Sequence, residues 1–344
     1  MGLPLEGLKV VAIEQAVAAP FATSRLADAG AEVIKIERPE GDFARGYDDV
    51  AAGQSSYFVW LNRGKTSTVL DLTSPEGKAE LERLLGEADV LVQNLKRGAL
   101  ARLGFPFERL EEAFPRLITC SISGYGQTGP NSSKPGYDLM AQGYGGIMSL
   151  TGEPKGQPVK AGVGIADVMC GMYACIGILA ALHHREKTGE GQQIDLALVD
   201  AQIAWLINEG VAYLNTGKVP ERRGNEHPSI MPYGLYETSD AHVILAVGND
   251  SQFGRLMEFL RLEGLADDPR FATNPARLQN RDALNDILIP VLRRHSMDEV
   301  IAAMEARKVP AGPVQDLERV FASDQVEARD MAIGMQSSAG PVRL

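Results

Sequence analysis

One carboxylate, Asp167, stands at the head of a long apolar run that extends from Val168 to Leu182. The run ends in charged residues at 183–187 and then Gly189, which is typical of the last turn and C-cap of a helix. Asp167 is therefore predicted at the N-cap, beside backbone N–H groups and the positive end of the helix dipole. A carboxylate held there could cap the helix or act as a nucleophile, and spacing alone favours the cap.

Composition excludes several classes of function. The chain has 344 residues, 44% of them hydrophobic, which is enough for one large or two ordinary domains. The three cysteines, Cys120, Cys170 and Cys175, lie in apolar stretches without metal-ligand spacing. We therefore expect no disulfide framework, no metal and a reducing compartment. A net charge of -11 disfavours nucleic acid as a partner.

The same residues bear on localisation. The N-terminal sequence lacks the basic-then-apolar pattern of a signal peptide. The apolar run at 168–182 is shorter than the ~20 residues that a bilayer requires. We expect a cytoplasmic protein without a membrane partner.

Candidate strands and helices alternate from residue 8 to residue 214. The strands are predicted at 8–14, 32–37, 69–72, 89–93, 117–123 and 192–198, and the helices at 21–29, 75–87, 99–103 and 199–214. This order predicts an α/β, Rossmann-like fold with a mostly parallel sheet, in which ligands bind beyond the carboxyl ends of the strands. Residues 14–20 (EQAVAAP) after the first strand lack the G-x-G-x-x-G turn, which disfavours a dehydrogenase.

A second, smaller domain follows. We predict the large Rossmann-like domain over residues 1–215 and a linker or active-site loop over 216–232, where Gly, Pro, Asn and charge are concentrated. Strands near 233–238 and 242–247 and helices at 251–260, 281–294 and 297–306 predict a small α+β domain over 233–308. A Pro/Gly hinge and an amphipathic helix then indicate a return to the large domain over 309–344.

Four long passages carry a family resemblance. They are APFATSRLADAGAEVIKIERPEGD (19–42), LNRGKTSTVLDLTSPEGK with ADVLVQNLKRGALARLGF (61–105), CSISGYGQTGPNSSKPGYDLMAQ (120–142), and the Asp167 helix with its continuation GILAALHHREKTGEGQQIDLAL. Together they resemble the class III CoA transferases, which include formyl-CoA transferases, carnitine CoA transferases and 2-methylacyl-CoA racemases. The similarity runs from about Leu5 to beyond Val309.

The resemblance implies that Asp167 is catalytic, because it matches the family aspartate of the D-x-x-x-G-M/L pattern. Such an enzyme moves CoA from an acyl-CoA to a carboxylic acid. The carboxylate attacks the thioester, which gives an enzyme-bound mixed anhydride and, after return of the thiolate, an aspartyl thioester. Coenzyme A is then part of the substrate, and no separate cofactor is expected. The resemblance also implies a homodimer of two interlocked rings and further chain beyond Leu344, so that the segment 309–344 would be truncated.

The resemblance assigns CoA contacts by position. The backbone of Val17 and Ala18 is expected near the thioester, Arg38 at the nucleotide and Arg102 at a phosphate. The adenine and ribose pocket is expected to be lined by Leu70, Asp71, Leu72, Thr73, Asn94, Leu95 and Lys96. The wall at the thiol end is expected to consist of Pro135, Gly136, Tyr137 and Asp138. Taken singly, Arg38 or Arg102 could equally be a solvated surface charge.

The chain departs from some relatives in ways that bear on the substrate. Val17 replaces the glutamine of formyl-CoA transferases, with Gln15 as the nearest substitute, and the loop at 224–229 lacks their glycine run, so formate is not expected. Tyr137 replaces the histidine that racemases use with the later aspartate as a two-base pair, so racemase activity is the alternative hypothesis.

The substrate acid is inferred from the loop at 216–232. Arg222, Arg223 and His227 could pair the distal carboxylate of a dicarboxylic acid, or could belong to a solvated linker. The first interpretation predicts succinyl-CoA or a similar C4 to C5 dicarboxyl-CoA as the donor.

Overall fold

The computed structural model describes residues 2–337 and 339–344 and forms two compact units. Unit 1 comprises Met1–Thr151, Pro158–Pro220 and Ile333–Leu344, and unit 2 comprises Gly152–Gln157 and Glu221–Ala332. The return to unit 1 therefore begins at residue 333, not at 309. Two further boundaries differ from the prediction, because residues 152–157 and most of the predicted linker belong to unit 2.

The elements of the described residues are as follows, in chain order. The strands are β1 (Lys9–Ile13), β2 (Glu32–Glu37), β3 (Lys65–Val69), β4 (Val90–Gln93), β5 (Ile118–Ser123), β6 (Gln193–Ala197), β7 (Tyr233–Glu237), β8 (His242–Ala246), β9 (Ala311–Pro313), β10 (Gly334–Ser337) and β11 (Gly340–Arg343). The helices are α1 (Ala18–Asp28), α2 (Ser56–Asn62), α3 (Pro75–Leu85), α4 (Ala99–Arg102), α5 (Phe107–Ala113), α6 (Asp138–Tyr144), α7 (Ile147–Leu150), α8 (Ile165–Thr188), α9 (Leu198–Ala204), α10 (Ile207–Thr216), α11 (Asp250–Leu260), α12 (Asn274–Gln279), α13 (Arg281–Leu292), α14 (Met297–Ala306), α15 (Leu317–Phe321) and α16 (Asp324–Glu327).

Unit 1 is built on a six-stranded sheet in the order β3-β2-β1-β4-β5-β6, with every pair parallel. The inner strands β1 and β4 are buried along almost their whole length, as expected where helices cover both faces. The strand order reverses between β1 and β4, and a ligand of a doubly wound sheet binds at such a point. The predicted α/β, Rossmann-like class is confirmed.

The helix α8 packs closely on α1. A Cβ atom at Gly171 would lie 2.7 Å from the carbonyl oxygen of Ala18 and 2.9 Å from the ring of Phe21, so only glycine permits this approach. Cys170 and Ala174 are fully buried in the same core. The short distance places the start of α1 beside the second turn of α8.

By length and composition alone, α8 could cross a bilayer, since it has 24 residues and its most apolar window has a mean hydropathy of 2.0. The expectation that this run is too short therefore fails for the helix as a whole. The core helix of a protein without a membrane meets the same criterion, and one face of α8 lies in the core of unit 1.

Two local predictions in unit 1 are wrong. The third strand occupies Lys65–Val69 instead of 69–72, and the residues after it form a turn in which Asp71 Oδ1 accepts a hydrogen bond from the N–H of Thr73 at 2.9 Å. The helix predicted at 199–214 is two helices, because the helical conformation is interrupted before Ile207, whose φ is +41°.

Unit 2 contains the antiparallel sheet β7-β8-β9 and its own core. Arg277 is fully buried there and donates to the carbonyl oxygens of Met231 (2.7 Å) and Phe271 (2.8 Å) and to Asp250 (2.7 Å). Because β9 pairs with β8, the predicted hinge near 309–313 is an edge strand of this unit, which explains the later return to unit 1.

Candidate active site

Asp167 lies in the first turn of α8, not at its N-cap. The helix begins at Ile165 with Gly164 as N-cap, and the cap is supplied from outside the segment. Asp138 Oδ1 accepts hydrogen bonds from the backbone N–H of Ala166 at 2.8 Å and of Asp167 at 3.4 Å. Asp138 Oδ2 accepts from the side chain of Gln142 at 2.6 Å. The helix N-terminus is thus capped by another carboxylate, and the Asp167 side chain is not needed for that purpose.

The Asp167 carboxyl is partly buried and hard to ionise. Removal from water raises its pKa to about 7, and the negative charge of Asp138 acts in the same direction. Asp167 therefore changes its protonation state near neutral pH. Perturbed carboxyls of this kind are frequent at functional sites.

Asp167 lines a cavity of about 270 Å³ in unit 1. The cavity lies beyond the carboxyl ends of β1, β4 and β5, where the parallel sheet predicts a ligand. Its other lining residues are Gln15, Ala16, Val17, Ala18, Phe43, Asn94, Leu95, Lys96, Arg97, Ile122, Ser123, Gly124, Ser132, Ser133, Lys134, Pro135, Gly136, Tyr137 and Leu198.

The loop after β1 forms one wall of this cavity, and two side chains hold it. Asn94 accepts a hydrogen bond from the N–H of Gln15 at 3.0 Å and donates to its carbonyl oxygen at 2.7 Å. Asp42 accepts from the N–H of Ala16 at 3.2 Å, and Ala16 has a φ of +63°. Helix α1 starts directly afterwards with Val17 as N-cap, and no side chain of the described residues caps it. Val17 and Ala18, the residues at the start of α1, line the same cavity as Asp167.

A close approach of two loops forms the opposite wall. A Cβ atom built on Gly124 would lie 2.4 Å from the Cα of Gly136, so side chains are excluded from both positions. This contact brings the residues before α6 against the end of β5. Tyr137, 65% exposed, follows directly and lines the cavity.

Two further cavities join the first through shared residues. The second, of about 220 Å³, shares Gln15 and Leu95 with the first. It is also lined by Arg38 and by Leu70, Asp71, Leu72 and Thr73. The third, of about 400 Å³, is lined by Lys96, Arg97, Gly98, Arg102 and Ser133 and is strongly cationic. A connected groove thus leads from Asp167 toward both Arg38 and Arg102.

The structure brings most residues of the predicted site into this groove. Asn94 and Lys96 line the cavity of Asp167 rather than the one with Leu70 to Thr73, where an adenine and ribose pocket was predicted. Asp138 lines none of the three cavities described and acts through the helix cap instead.

Sequence reasoning missed several lining residues. Phe43, Lys134 and Leu198 line the cavity of Asp167. Lys134 directly precedes residues 135–138, which were predicted to form the wall at the thiol end of CoA, so its position in the sequence could have indicated it. No sequence signal marked Phe43 or Leu198.

The three candidates for acid recognition lie in unit 2. Arg222 donates to the carbonyl oxygens of Glu153 at 3.3 Å and Gly156 at 2.7 Å, so its guanidinium organises the backbone of its own unit. His227 Nδ1 accepts from the N–H of Ser229 at 3.0 Å, and its ring lies 4.9 Å from that of Tyr233. Residues 221–232 therefore belong to unit 2 and do not form a linker between the units.

Comparison with known proteins identifies the class. The family model CoA-transferase family III matches residues 5–344, and the chain belongs to this family. It is therefore a CoA transferase, an enzyme that moves CoA from an acyl-CoA to a carboxylic acid.

Individual relatives agree with this assignment. The chain is 44% identical over 347 positions to the succinate–glutarate CoA-transferase of Agrobacterium fabrum (strain C58), covering 98% of this chain and 87% of the relative. It is 37% identical over 335 positions to the succinyl-CoA:glutarate CoA-transferase of Homo sapiens, covering 97% and 76%. The crystal structure of a CAIB/BAIF family protein from Brucella suis superposes with a TM-score of 0.88 at 45% identity, covering 97% and 89%.

Proposed function

We propose that this enzyme transfers CoA between dicarboxylic acids, with succinyl-CoA as donor, and that Asp167 carries the reacting group covalently. The observation that supports the role of Asp167 is its position. It is a partly buried carboxyl with a pKa raised to about 7, next to uncapped helix N–H groups and at the inner end of a groove with cationic residues.

The chemistry balances without any redox partner. The Asp167 carboxylate attacks the thioester carbonyl, and the C–S bond breaks to give a mixed anhydride and the CoA thiolate. The thiolate attacks the aspartyl carbonyl and releases the first acid, which leaves an aspartyl thioester. The acceptor carboxylate then repeats the anhydride step, and the thiolate takes the new acyl group and frees Asp167.

The loop after β1 is suited to stabilise the oxyanions of these steps. Each attack places negative charge on a carbonyl oxygen, and backbone N–H groups fixed in advance lower the energy of such a charge. Val17 and Ala18 begin α1 on the wall of the Asp167 cavity, where the positive end of the helix dipole adds to the effect. We assign them to the thioester end of the substrate.

The remainder of CoA is assigned to the groove. Phosphates carry negative charge and are matched by Lys96, Arg97 and Arg102, whereas Leu70 to Thr73 and Arg38 offer a partly apolar pocket for the nucleotide. Coenzyme A enters as part of the substrate, and no other cofactor is proposed.

The proposal of dicarboxylic substrates is supported by relatives named for them. The proteins from Agrobacterium fabrum and Homo sapiens carry succinate, succinyl-CoA and glutarate in their names. Racemase activity is disfavoured, because Tyr137 stands where the resemblance places the histidine of the two-base pair.

A homodimer is proposed from the apolar residues that unit 1 leaves exposed. Met172, Ile176 and Leu179 lie on the uncovered face of α8, and α10 has no buried residue although it carries Val211 (61% exposed) and Leu214 (81%). Contiguous apolar surface of this kind marks interaction sites. We propose a second copy of the chain as the partner, in the interlocked arrangement of the family. We further propose a cytoplasmic location, with neither nucleic acid nor membrane as a partner.

Transfer kinetics test the proposed substrates. The protein is incubated with succinyl-CoA and a panel of dicarboxylates and monocarboxylates, and the new acyl-CoA is quantified by mass spectrometry. We expect ping-pong kinetics and a clear preference for glutarate or a similar dicarboxylate over monocarboxylates. Preference for monocarboxylates would overturn the proposed substrates. Deuterium uptake at the alpha carbon of a 2-methylacyl-CoA, without transfer to any acid, would support the racemase.

A further inference from the structure

A cluster of buried charges lies beneath the loop that faces Asp167. The side chains of Glu14 and Asp42 are 0% exposed, and those of Lys35 and Lys65 are 1% exposed. Lys35 donates to Asp42 at 2.8 Å, and Lys65 donates to Glu14 at 2.7 Å. Buried ion pairs contribute little net stability compared with apolar residues of the same volume, so a cluster of this kind needs another explanation.

Asp42 connects this cluster to the active-site loop. Its Oδ2 accepts from Lys35, and its Oδ1 accepts from the backbone N–H of Ala16 at 3.2 Å and of Ala44 at 2.9 Å. Three donors thus converge on two carboxylate oxygens. Ala16 and the residue after Asp42, Phe43, both line the cavity of Asp167.

The conformation of Ala16 requires such an anchor. Its φ of +63° is in the left-handed region, which is unfavourable for alanine because its Cβ atom crowds the following carbonyl oxygen. Without an external hydrogen bond, the peptide before Val17 would relax to a more common conformation. That change would turn the first N–H groups of α1 away from their positions on the cavity wall.

We propose that Asp42 is a positioning residue for catalysis, which holds Ala16 in its left-handed conformation and thereby fixes the N–H groups of Val17 and Ala18 that face the reacting carbonyl. This inference rests on the proposed covalent role of Asp167. Asp42 also borders the cavity assigned to the nucleotide, but both of its oxygens are occupied by protein donors, so we assign it no contact with the acyl group.

The first test is Asp42→Asn, measured as kcat and KM for succinyl-CoA transfer. An amide offers one oxygen and two N–H groups, so it cannot accept from all three donors. We expect kcat to fall on the order of ten- to hundredfold because of misplaced N–H groups. KM for succinyl-CoA should change by less than about threefold, because the groove that binds CoA is retained. The matched control is Asp28→Asn, which removes a carboxylate that pairs with Arg63 at the other end of α1, and should leave both constants unchanged.

The rescue variant distinguishes positioning from a purely structural role. Glycine adopts a positive φ without strain, so the double variant Ala16→Gly with Asp42→Asn should recover several-fold of the kcat lost in Asp42→Asn. No recovery in a folded double variant would overturn the proposal, as would an unchanged kcat in Asp42→Asn.

A second design covers the case in which Asp42→Asn does not fold. Replacing both members of a buried ion pair by apolar residues leaves no unpaired charge, so Asp42→Leu with Lys35→Met should fold and still lose kcat. If neither Asp42→Asn nor the double variant folds, Asp42 is required for stability and the positioning role is overturned. Hydroxylamine trapping of the wild type separates this outcome from failure of the covalent mechanism: a normal adduct in the wild type and an equally fast one in Asp42→Asn would refute the inference alone.

Discussion

Asp138 Oδ1 accepts a hydrogen bond from the backbone N–H of Ala166 at 2.8 Å, and this bond caps the helix that carries Asp167. The consequence is a division of roles between two carboxylates. Asp138 caps the helix N-terminus, and Asp167, the residue after Ala166, is left available for chemistry. The charge of Asp138 also contributes to the raised pKa of Asp167.

The pH dependence of transfer follows from this arrangement. Only the carboxylate form of Asp167 can attack a thioester, and its pKa is raised to about 7. We expect kcat/KM to rise with pH up to about 7 and to level off above it. Stopped-flow or discontinuous assays with succinyl-CoA between pH 5 and pH 9 measure this profile. A rate independent of pH between 5 and 8 would contradict the assignment.

Asp138→Asn should move the acidic limb of that profile to lower pH. The variant keeps an oxygen that can accept from Ala166, but it removes the negative charge that helps to raise the pKa of Asp167. Circular dichroism serves as the control for the fold. If the limb stays where it is in the wild type, the charge of Asp138 does not influence the nucleophile.

Because of Asp167, the free energy of unfolding should fall as pH rises, whereas a salt-bridged acid makes it rise with pH. Its pKa is higher in the folded state than the ordinary 3.8, so between these values the folded state binds more protons and stability falls as pH rises. Asp167→Asn should therefore be more stable than the wild type at pH 8, by at most about 4 kcal/mol at about 1.4 kcal/mol per pKa unit. Chemical denaturation at pH 5 and pH 8 measures the difference, which should shrink at pH 5. An equal difference at both values would exclude the linkage.

The packing of α8 on α1 can be tested with two glycines of one helix. Gly171→Ala places a methyl group within 2.7 Å of the Ala18 carbonyl oxygen and should destabilise the protein by about 1–3 kcal/mol. Gly177→Ala meets only Ile194 at 3.4 Å and should be neutral or stabilising by up to about 1 kcal/mol. Urea denaturation compares the two. Equal effects would show that the helices are not in close contact at Gly171.

Binding of CoA phosphates can be tested at Arg102. Arg102→Ala should raise KM for succinyl-CoA by about tenfold, as expected for loss of one charged hydrogen bond, with little change in kcat. Arg109→Ala is the control, because Arg109 is an exposed arginine that pairs with Glu82 and lines none of the three cavities. Similar KM values for the two variants would remove Arg102 from the site.

Much of unit 1 was predictable because its local signals agree with its tertiary structure. Ser74 and Pro75 mark the start of α3 as predicted, and Ser74 accepts a hydrogen bond from Gly77 at 3.0 Å. The third strand was misplaced because β3 is an edge strand with exposed polar side chains, so hydrophobic periodicity favoured the apolar residues after it.

The errors at the site have a common cause in long-range contacts. The cap of α8 comes from Asp138, 28 positions before Ala166, so no local spacing could separate a cap from a nucleophile at Asp167. Likewise, the anchor of Ala16 is Asp42, 26 positions away. Residues 152–157 join unit 2 through contacts with Arg222. Sequence periodicity carries no information about such pairs.

The central claim, a covalent intermediate at Asp167, is tested most directly by hydroxylamine trapping. The wild type and Asp167→Ala are incubated with succinyl-CoA and hydroxylamine, and intact and peptide masses are recorded. An aspartyl anhydride or thioester is converted to a hydroxamate, so we expect a small mass increase on the wild type that maps to Asp167 and is absent from the variant. An unmodified Asp167 in a wild-type enzyme that turns over succinyl-CoA under the same conditions would contradict the account.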